Sequence, residues 1–81
     1  MEENKMKEIL KTIILNLVDN KEAVEIKEIQ GEKSIVLEVK VADSDMGKVI
    51  GKQGRLAKSI RTLMKAVATK EQKKVTVEFM G

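Results

Sequence analysis

The feature that most limits what this chain can fold into is Val49-Ile50-Gly51-Lys52-Gln53-Gly54: an aliphatic pair, then two glycines enclosing a cation and an amide, with a long amphipathic pattern starting directly afterwards. Glycine tolerates positive φ and lets its backbone come close to another group, and the first turn of a helix offers unpaired N–H groups at a positive dipole end. The segment therefore predicts a tight corner between two helices that faces an anion, with Lys52 as a mobile cation at its tip.

The following pattern strengthens that expectation. At about 100° per residue, Leu56, Ile60, Leu63, Met64 and Val67 gather on one helix face and Arg55, Lys58, Arg61 and Lys65 on the other. Residues 46–74 carry nine Lys or Arg and one acid, Glu71, a net charge of +8, whereas residues 1–45 carry seven basic and eleven acidic residues, a net charge of −4. Glu78 then brings the whole chain to +3. A merely solvated helix face mixes its signs. This one does not, which points to a polyanionic partner.

Composition removes most other functions. With no Cys and no His, thiol nucleophiles, imidazole bases, disulfides and zinc sites are excluded, and no cofactor or metal is expected. The carboxylates lie mostly in the acidic half without an accompanying nucleophile, so the chain reads as a non-enzyme with no small-molecule substrate. Phe79 is the one aromatic residue, which rules out nucleic-acid surfaces that stack bases on exposed rings. No apolar run approaches the ~20 residues of a membrane span, and Met1-Glu2-Glu3-Asn4 does not resemble a secretory leader. The expectation is one domain over residues 1–81, cytoplasmic, with no membrane partner.

The remaining patterns give the order αββααβ, an α+β fold. Met6, Ile9, Leu10, Ile13, Ile14, Leu17 and Val18 predict a core-facing helix from about Asn4, its N-cap, to Val18, with Asp19-Asn20 as its exit, Asn20 suited to the left-handed conformation. Two strands follow, Val24 to Ile29 and Ser34 to Val41, joined by a short Gly-containing turn and so antiparallel. Ile29 breaks the parity of Val24 and Ile26, which predicts a bulge or an early strand end. Asp43 or Ser44 is placed to cap a short helix from about Asp45 to Ile50. The long helix runs from Gln53-Gly54 to about Thr69, and the last strand from Lys74 to Met80, with Val75, Val77 and Phe79 inward. The two-helix crossover returns this strand parallel to the second, giving a three-stranded mixed sheet with three helices on one face.

At this point the residues reach a family. Val49-Ile50-Gly51-Lys52-Gln53-Gly54-Arg55-Leu56-Ala57-Lys58-Ser59-Ile60 resembles the signature of the KH domain, whose G-x-x-G loop clamps about four nucleotides of single-stranded RNA. The leading helix and hairpin resemble the type II arrangement, and the whole pattern is similar to the small bacterial single-KH proteins of the KhpA type. It departs from many KH domains in having Ala57 where a large aliphatic residue stands. The resemblance implies an RNA-binding module, a post-transcriptional regulator or RNA chaperone. Weak single-site binding further implies a homodimer or a pairing with a second KH protein.

The implied roles follow residue by residue. Gly51 and Gly54 permit close backbone approach, Lys52 and Gln53 contact phosphate or sugar oxygens, and Arg55 and Lys58 continue the phosphate track. Val49 and Ile50 form the apolar edge for bases, and Lys48 and Arg61 are secondary electrostatic contributors. The base groove lies between the loop helices and the second strand, with Val36, Glu38 or Lys40 as candidates to line it and the outward parity open. Two rival readings compete with this one. Gly47 to Lys52 superficially resembles a nucleotide-binding P-loop, but three residues rather than four separate Gly47 from Gly51, and Gln53 stands where Ser or Thr would bind magnesium. The other rival is a protein-interaction scaffold whose loop is only a structural corner. A plain corner, however, needs one glycine and no basic helix beside it.

Overall fold

The computed structural model of the chain describes residues 5–80. Its first element, α1 (Lys5–Leu17), buries Met6, Leu10 and Ile14, an i, i+4 row that Val18 continues just past the helix. Ile9, placed with the core by periodicity, lies on the flank of this row and is exposed, while Ile13 and Leu17 are half-buried. The expected cap Asn4 falls outside the described residues. The exit is not left-handed, since Asn20 has φ −92°. Instead, the Val18 N–H closes the last turn on Ile14 O at 3.2 Å, and a 3-10 turn, Lys21–Ala23, leads into the sheet.

Strands β1 (Glu25–Gln30) and β2 (Ser34–Lys40) pair antiparallel in an unbroken register from Glu25 opposite Lys40 to Gln30 opposite Ile35. The expected bulge at Ile29 is therefore absent. Ile26 lies opposite buried Val39, so the strand's period of two turns Ile29 to the other face, where it pairs with Val36 and stays exposed. Strand β3 (Lys74–Met80) runs parallel to β2, and the order β1-β2-β3 makes β2 central and β3 an edge.

The crossover consists of α2 (Met46–Ile50) and α3 (Arg55–Lys70). Their buried residues Val49, Ile60 and Met64 join Leu10 and Ile14 of α1 against Ile35, Leu37, Val39, Val75 and Val77 of the sheet. The fold is thus α+β, with a three-stranded mixed sheet and the core between sheet and helices. The buried row of α3 is Ala57, Ile60, Met64 and Ala68, so Leu63, about 100° round the helix from Met64, is left 47% exposed. Sequence periodicity weighted the large aliphatics and missed the two alanines at the ends of this row. After α3, the Lys73 N–H reaches Ala68 O and the Gln72 N–H reaches Thr69 O, both at 3.0 Å. This is the paired-bond helix end that places its reversing residue in the left-handed region. Here that residue is Gln72, at φ 58°.

Candidate nucleic-acid interface

The segment leading into the loop is fixed by a carboxylate. A 3-10 turn, Asp43–Asp45, precedes α2, and no side chain caps either, so the capping role expected of Asp43 or Ser44 is not taken. Asp45 is 1% exposed and accepts the N–H groups of Asp19 at 3.2 Å and Asn20 at 2.9 Å. It thereby ties the exit of α1 to the start of α2. Lys48, one turn on, bonds the Asp19 carboxylate and lies 3.3 Å from that of Asp45. The Asn20 N–H, with the Asp19 N–H and Lys48 behind it, holds the Asp45 carboxyl below the usual carboxylate value against the opposing effect of desolvation. The hydrogen bond to Asp19 in turn raises the Lys48 ammonium. Sequence reasoning missed Asp45. Its one local signal is the i, i+3 spacing to Lys48, because the groups it satisfies are backbone amides 25 and 26 residues away.

The loop itself is a tight reversal. Gly51 has φ 78° and ψ 177°, Gln53 φ 55° and ψ 25°, and Gly54 φ 74° and ψ 12°. Three of the four residues between α2 and α3 thus occupy positive φ, two of them as consecutive left-handed residues. The Gly51 N–H closes α2 on Gly47 O at 2.9 Å, and the Gly54 N–H returns to Gly51 O at 3.2 Å. The Arg55 N–H bonds Lys52 O. Two N–H groups expected to be free for an anion are therefore spent inside the loop, which leaves a larger share of anion attraction to the cations.

The two glycines differ in what requires them. A Cβ on Gly51 would lie 2.7 Å from the Leu56 Cβ and 3.0 Å from its backbone nitrogen, whereas a Cβ on Gly54 would have nothing within 4 Å. Gly51 is demanded by the packing of the corner. At Gly54 the chain leaves open space at the surface.

Lys52, Gln53, Arg55 and Lys58 are exposed and consecutive around the corner and the first turn of α3. None of the three cations among them has a carboxylate partner among the described residues. Ile50 is half-buried beside them. Three other sequence-nominated residues are placed differently. Val49, expected at the apolar edge, is fully buried in the core and has no surface to offer a base. Lys48 is already committed to two acids. Arg61 turns to β3, its Nε donating to Val77 O at 3.1 Å and its guanidinium carbon 5.3 Å from the Phe79 ring centroid. The expected groove lining also needs correction. Val36, Glu38 and Lys40 alternate with the buried Ile35, Leu37 and Val39, so they face away from the helices. The strand beside α3 is β3, and the cleft runs between α3 and its free edge.

Residues 7–79 match the model of the family described as KhpA/KhpB, KH domain. The chain is 61% identical over 75 residues to an RNA-binding protein KhpA of Caldanaerobacter subterraneus subsp. tengcongensis, covering 93% of this chain and all of the relative. It is 59% identical, with the same coverage, to an RNA-binding protein KhpA of Clostridium acetobutylicum. To that of Aquifex aeolicus it is 44% identical, over 93% of this chain and 95% of the relative. No solved structure matches it significantly.

Proposed function

The chain belongs to the KhpA/KhpB family of KH domains, and we propose that it binds short single-stranded RNA through the loop Gly51–Gly54 and the first turn of α3. One observation carries the proposal: Lys52, Arg55 and Lys58 line one continuous exposed face with no acidic partner among the described residues, beside a glycine whose missing side chain none of those residues fills. A polyanionic backbone supplies the charge that this face lacks. Ile50 offers an apolar margin for the bases, and no step of the proposal is catalytic.

The proposal includes association and place of action. A site built on phosphate contacts binds weakly and with modest selectivity, so useful affinity requires a second site, from another copy or from a second KH protein, within an effective concentration set by the complex. Such a protein acts in the cytoplasm on transcripts, as a regulator or chaperone of RNA. Sedimentation showing only monomer at high concentration, with no KH protein co-purifying, would remove the association.

The deciding experiment changes Lys52→Asp together with Gln53→Asp. Aspartate tolerates the left-handed conformation of position 53, and both sites are exposed, so the expected stability change is about 0.5 kcal/mol. Binding of a short single strand falls at least tenfold, because two carboxylates stand where phosphates approach. The control, Lys5→Asp with Lys11→Asp, removes more positive charge from exposed positions on α1. Equal weakening by control and loop variant would reduce the loop to a corner and leave only a general charge effect.

A further inference from the structure

Asp45 is the one polar or charged residue buried among the described residues, and the loop reading gives it no contact with RNA. Its burial calls for a reason, because taking a carboxylate out of water opposes its charge and a well-packed apolar residue often serves stability as well. The partners supply one. Both carboxylate oxygens are spent on backbone amides of the α1 exit, Oδ1 on Asp19 and Oδ2 on Asn20, with the Lys48 ammonium 3.3 Å from Oδ1. The group is built to hold two segments together.

The anchored point lies one short helix away from the loop. With five residues, Met46–Ile50, α2 is below the ~12–15 residues at which a helix begins to hold its shape alone, so its orientation is set from outside. Val49, 0% exposed, fixes one point of it, and a single point leaves a helix free to turn. Asp45 supplies the second. At i, i+4 the two side chains share a face, and together they fix the line of α2. The line of α2 in turn fixes where the loop begins, because the Gly51 N–H closes on Gly47 O at 2.9 Å and Lys52 follows directly. A binding group must be held to about 0.5 Å by the shell behind it.

We infer that Asp45 is a positioning residue for RNA binding: through the Asp19 and Asn20 amides it holds α2 in the orientation that presents Lys52 and Gln53 to a phosphate. The inference rests on the loop reading proposed above. Its sign makes it readable. A carboxylate on the protein repels a polyanion, so by bulk charge alone its removal strengthens RNA binding, whereas loss of the lock weakens it. Asp19 offers the matching control, because its carboxylate carries the same charge, is 86% exposed and is not the group that accepts the two amides.

The test measures the affinity of a four-nucleotide oligouridylate for Asp45→Asn and Asp19→Asn in the full chain, at a temperature where circular dichroism shows both folded. Asparagine keeps the size and one acceptor oxygen but turns an NH2 toward one of the donors. The expected result is binding at least fivefold weaker in Asp45→Asn, against the sign of its charge change, with Asp19→Asn as tight as wild type or tighter. A folded Asp45→Asn that binds as well as wild type overturns the inference. A second arm needs no variant and decides the matter should Asp45→Asn not fold. Coupling is reciprocal, so saturating the wild-type protein with the same oligouridylate should slow hydrogen exchange of the Asp19 and Asn20 amides about as much as the lock favours binding, at least fivefold. The Ala23 and Val24 amides, which close the adjoining turn on Asn20 O and Lys21 O, report any general stabilisation. Equal slowing of all four, or none, overturns the inference. The outcomes separate the two proposals. Loss of binding in the Lys52→Asp, Gln53→Asp variant with none in Asp45→Asn sinks this inference alone, whereas wild-type binding by the loop variant sinks the loop reading.

Discussion

The two loop glycines carry the most informative perturbation, because the same substitution has different consequences three residues apart. Gly51, at φ 78° and ψ 177°, occupies a region that is essentially glycine-only and costs about 1–3 kcal/mol for another residue. An alanine there also sets its Cβ 2.7 Å from that of Leu56 and 3.0 Å from the Leu56 nitrogen. Both obstacles belong to the start of α3 rather than to a flexible side-chain end, so relief requires moving the helix, at the ~1–3 kcal/mol of an overpacked core. The reduced freedom of the unfolded chain returns only ~0.4–1 kcal/mol. We expect Gly51→Ala to destabilise by about 3 kcal/mol, a large part of the roughly 4–12 kcal/mol available to a chain of this size. Gly54 has a left-handed backbone and open surroundings, so Gly54→Ala meets only the ~1–2 kcal/mol of that conformation, less the same entropic return, or about 1 kcal/mol net. Urea denaturation followed by circular dichroism reads both, and at ~4–8 °C per kcal/mol the melting temperatures should fall by about 12 °C or more and by about 6 °C. Equal losses in the two variants would refute the assignment of Gly51 to packing and Gly54 to the surface.

Gln72→Gly should stabilise the chain by about 1 kcal/mol, seen as a higher urea midpoint, because it relieves a left-handed glutamine at φ 58°; an unchanged midpoint would mean that its side chain compensates. The folded carboxyl of Asp45 is held below its usual 3.8, so its stabilisation is complete above that pH and is lost as pH falls through the lower, folded value. Thermal melts of wild type and Asp45→Asn should differ at neutral pH and converge in acid, and a constant difference would disprove the linkage. Lys48 is raised from 10.5, so its contribution is complete below that pH and is lost as pH rises through the folded value, making Lys48→Met least distinguishable from wild type in strong alkali. For a four-nucleotide strand, log K against log[salt] should slope by roughly −2 to −3, from ~0.7 per phosphate, and a flat response would remove phosphate neutralisation from the site.

The elements were legible where a single physical signal governs them. Strand β3 occupies the predicted residues because alternation of Val75, Val77 and Phe79 is uninterrupted, and the parallel crossover follows from two helices in sequence between two strands. The misreadings share a cause. Parity at Ile29 looked like a defect only under the assumption that every large aliphatic of a strand faces the core, and the sheet's uncovered face also accepts an isoleucine and Val36. The same assumption placed Leu63 and Ile9 inside, while Ala57 and Ala68 went unnoticed because alanine carries little weight in an amphipathic pattern. Asp45 was invisible for another reason: the amides that it satisfies belong to a helix exit far away in sequence, and no local pattern encodes such a partner.

The corner between α2 and α3 was legible in its outline, and the nominated residues that are buried or ion-paired explain how it is held. The loop contains three positive-φ residues, each less favourable than extended or helical backbone, and such a shape persists only when its ends are fixed. Val49 on one side and Ala57 with Ile60 on the other are buried to 3% exposure or less, and Asp45 locks the start of α2 to α1. Val49, nominated as a contact, is thus an anchor, and Lys48, nominated as a cation for RNA, is part of the lock. The sequence pattern could not separate these roles, because a valine next to the loop looks the same whether it faces a base or the core. The consequence is functional. For the RNA binding proposed above, a corner clamped by buried residues on both sides fixes the backbone that carries Lys52, Arg55 and Lys58 before a ligand arrives, so less ordering entropy is lost on binding, and the proposed affinity depends on the packing behind this face as much as on its charges.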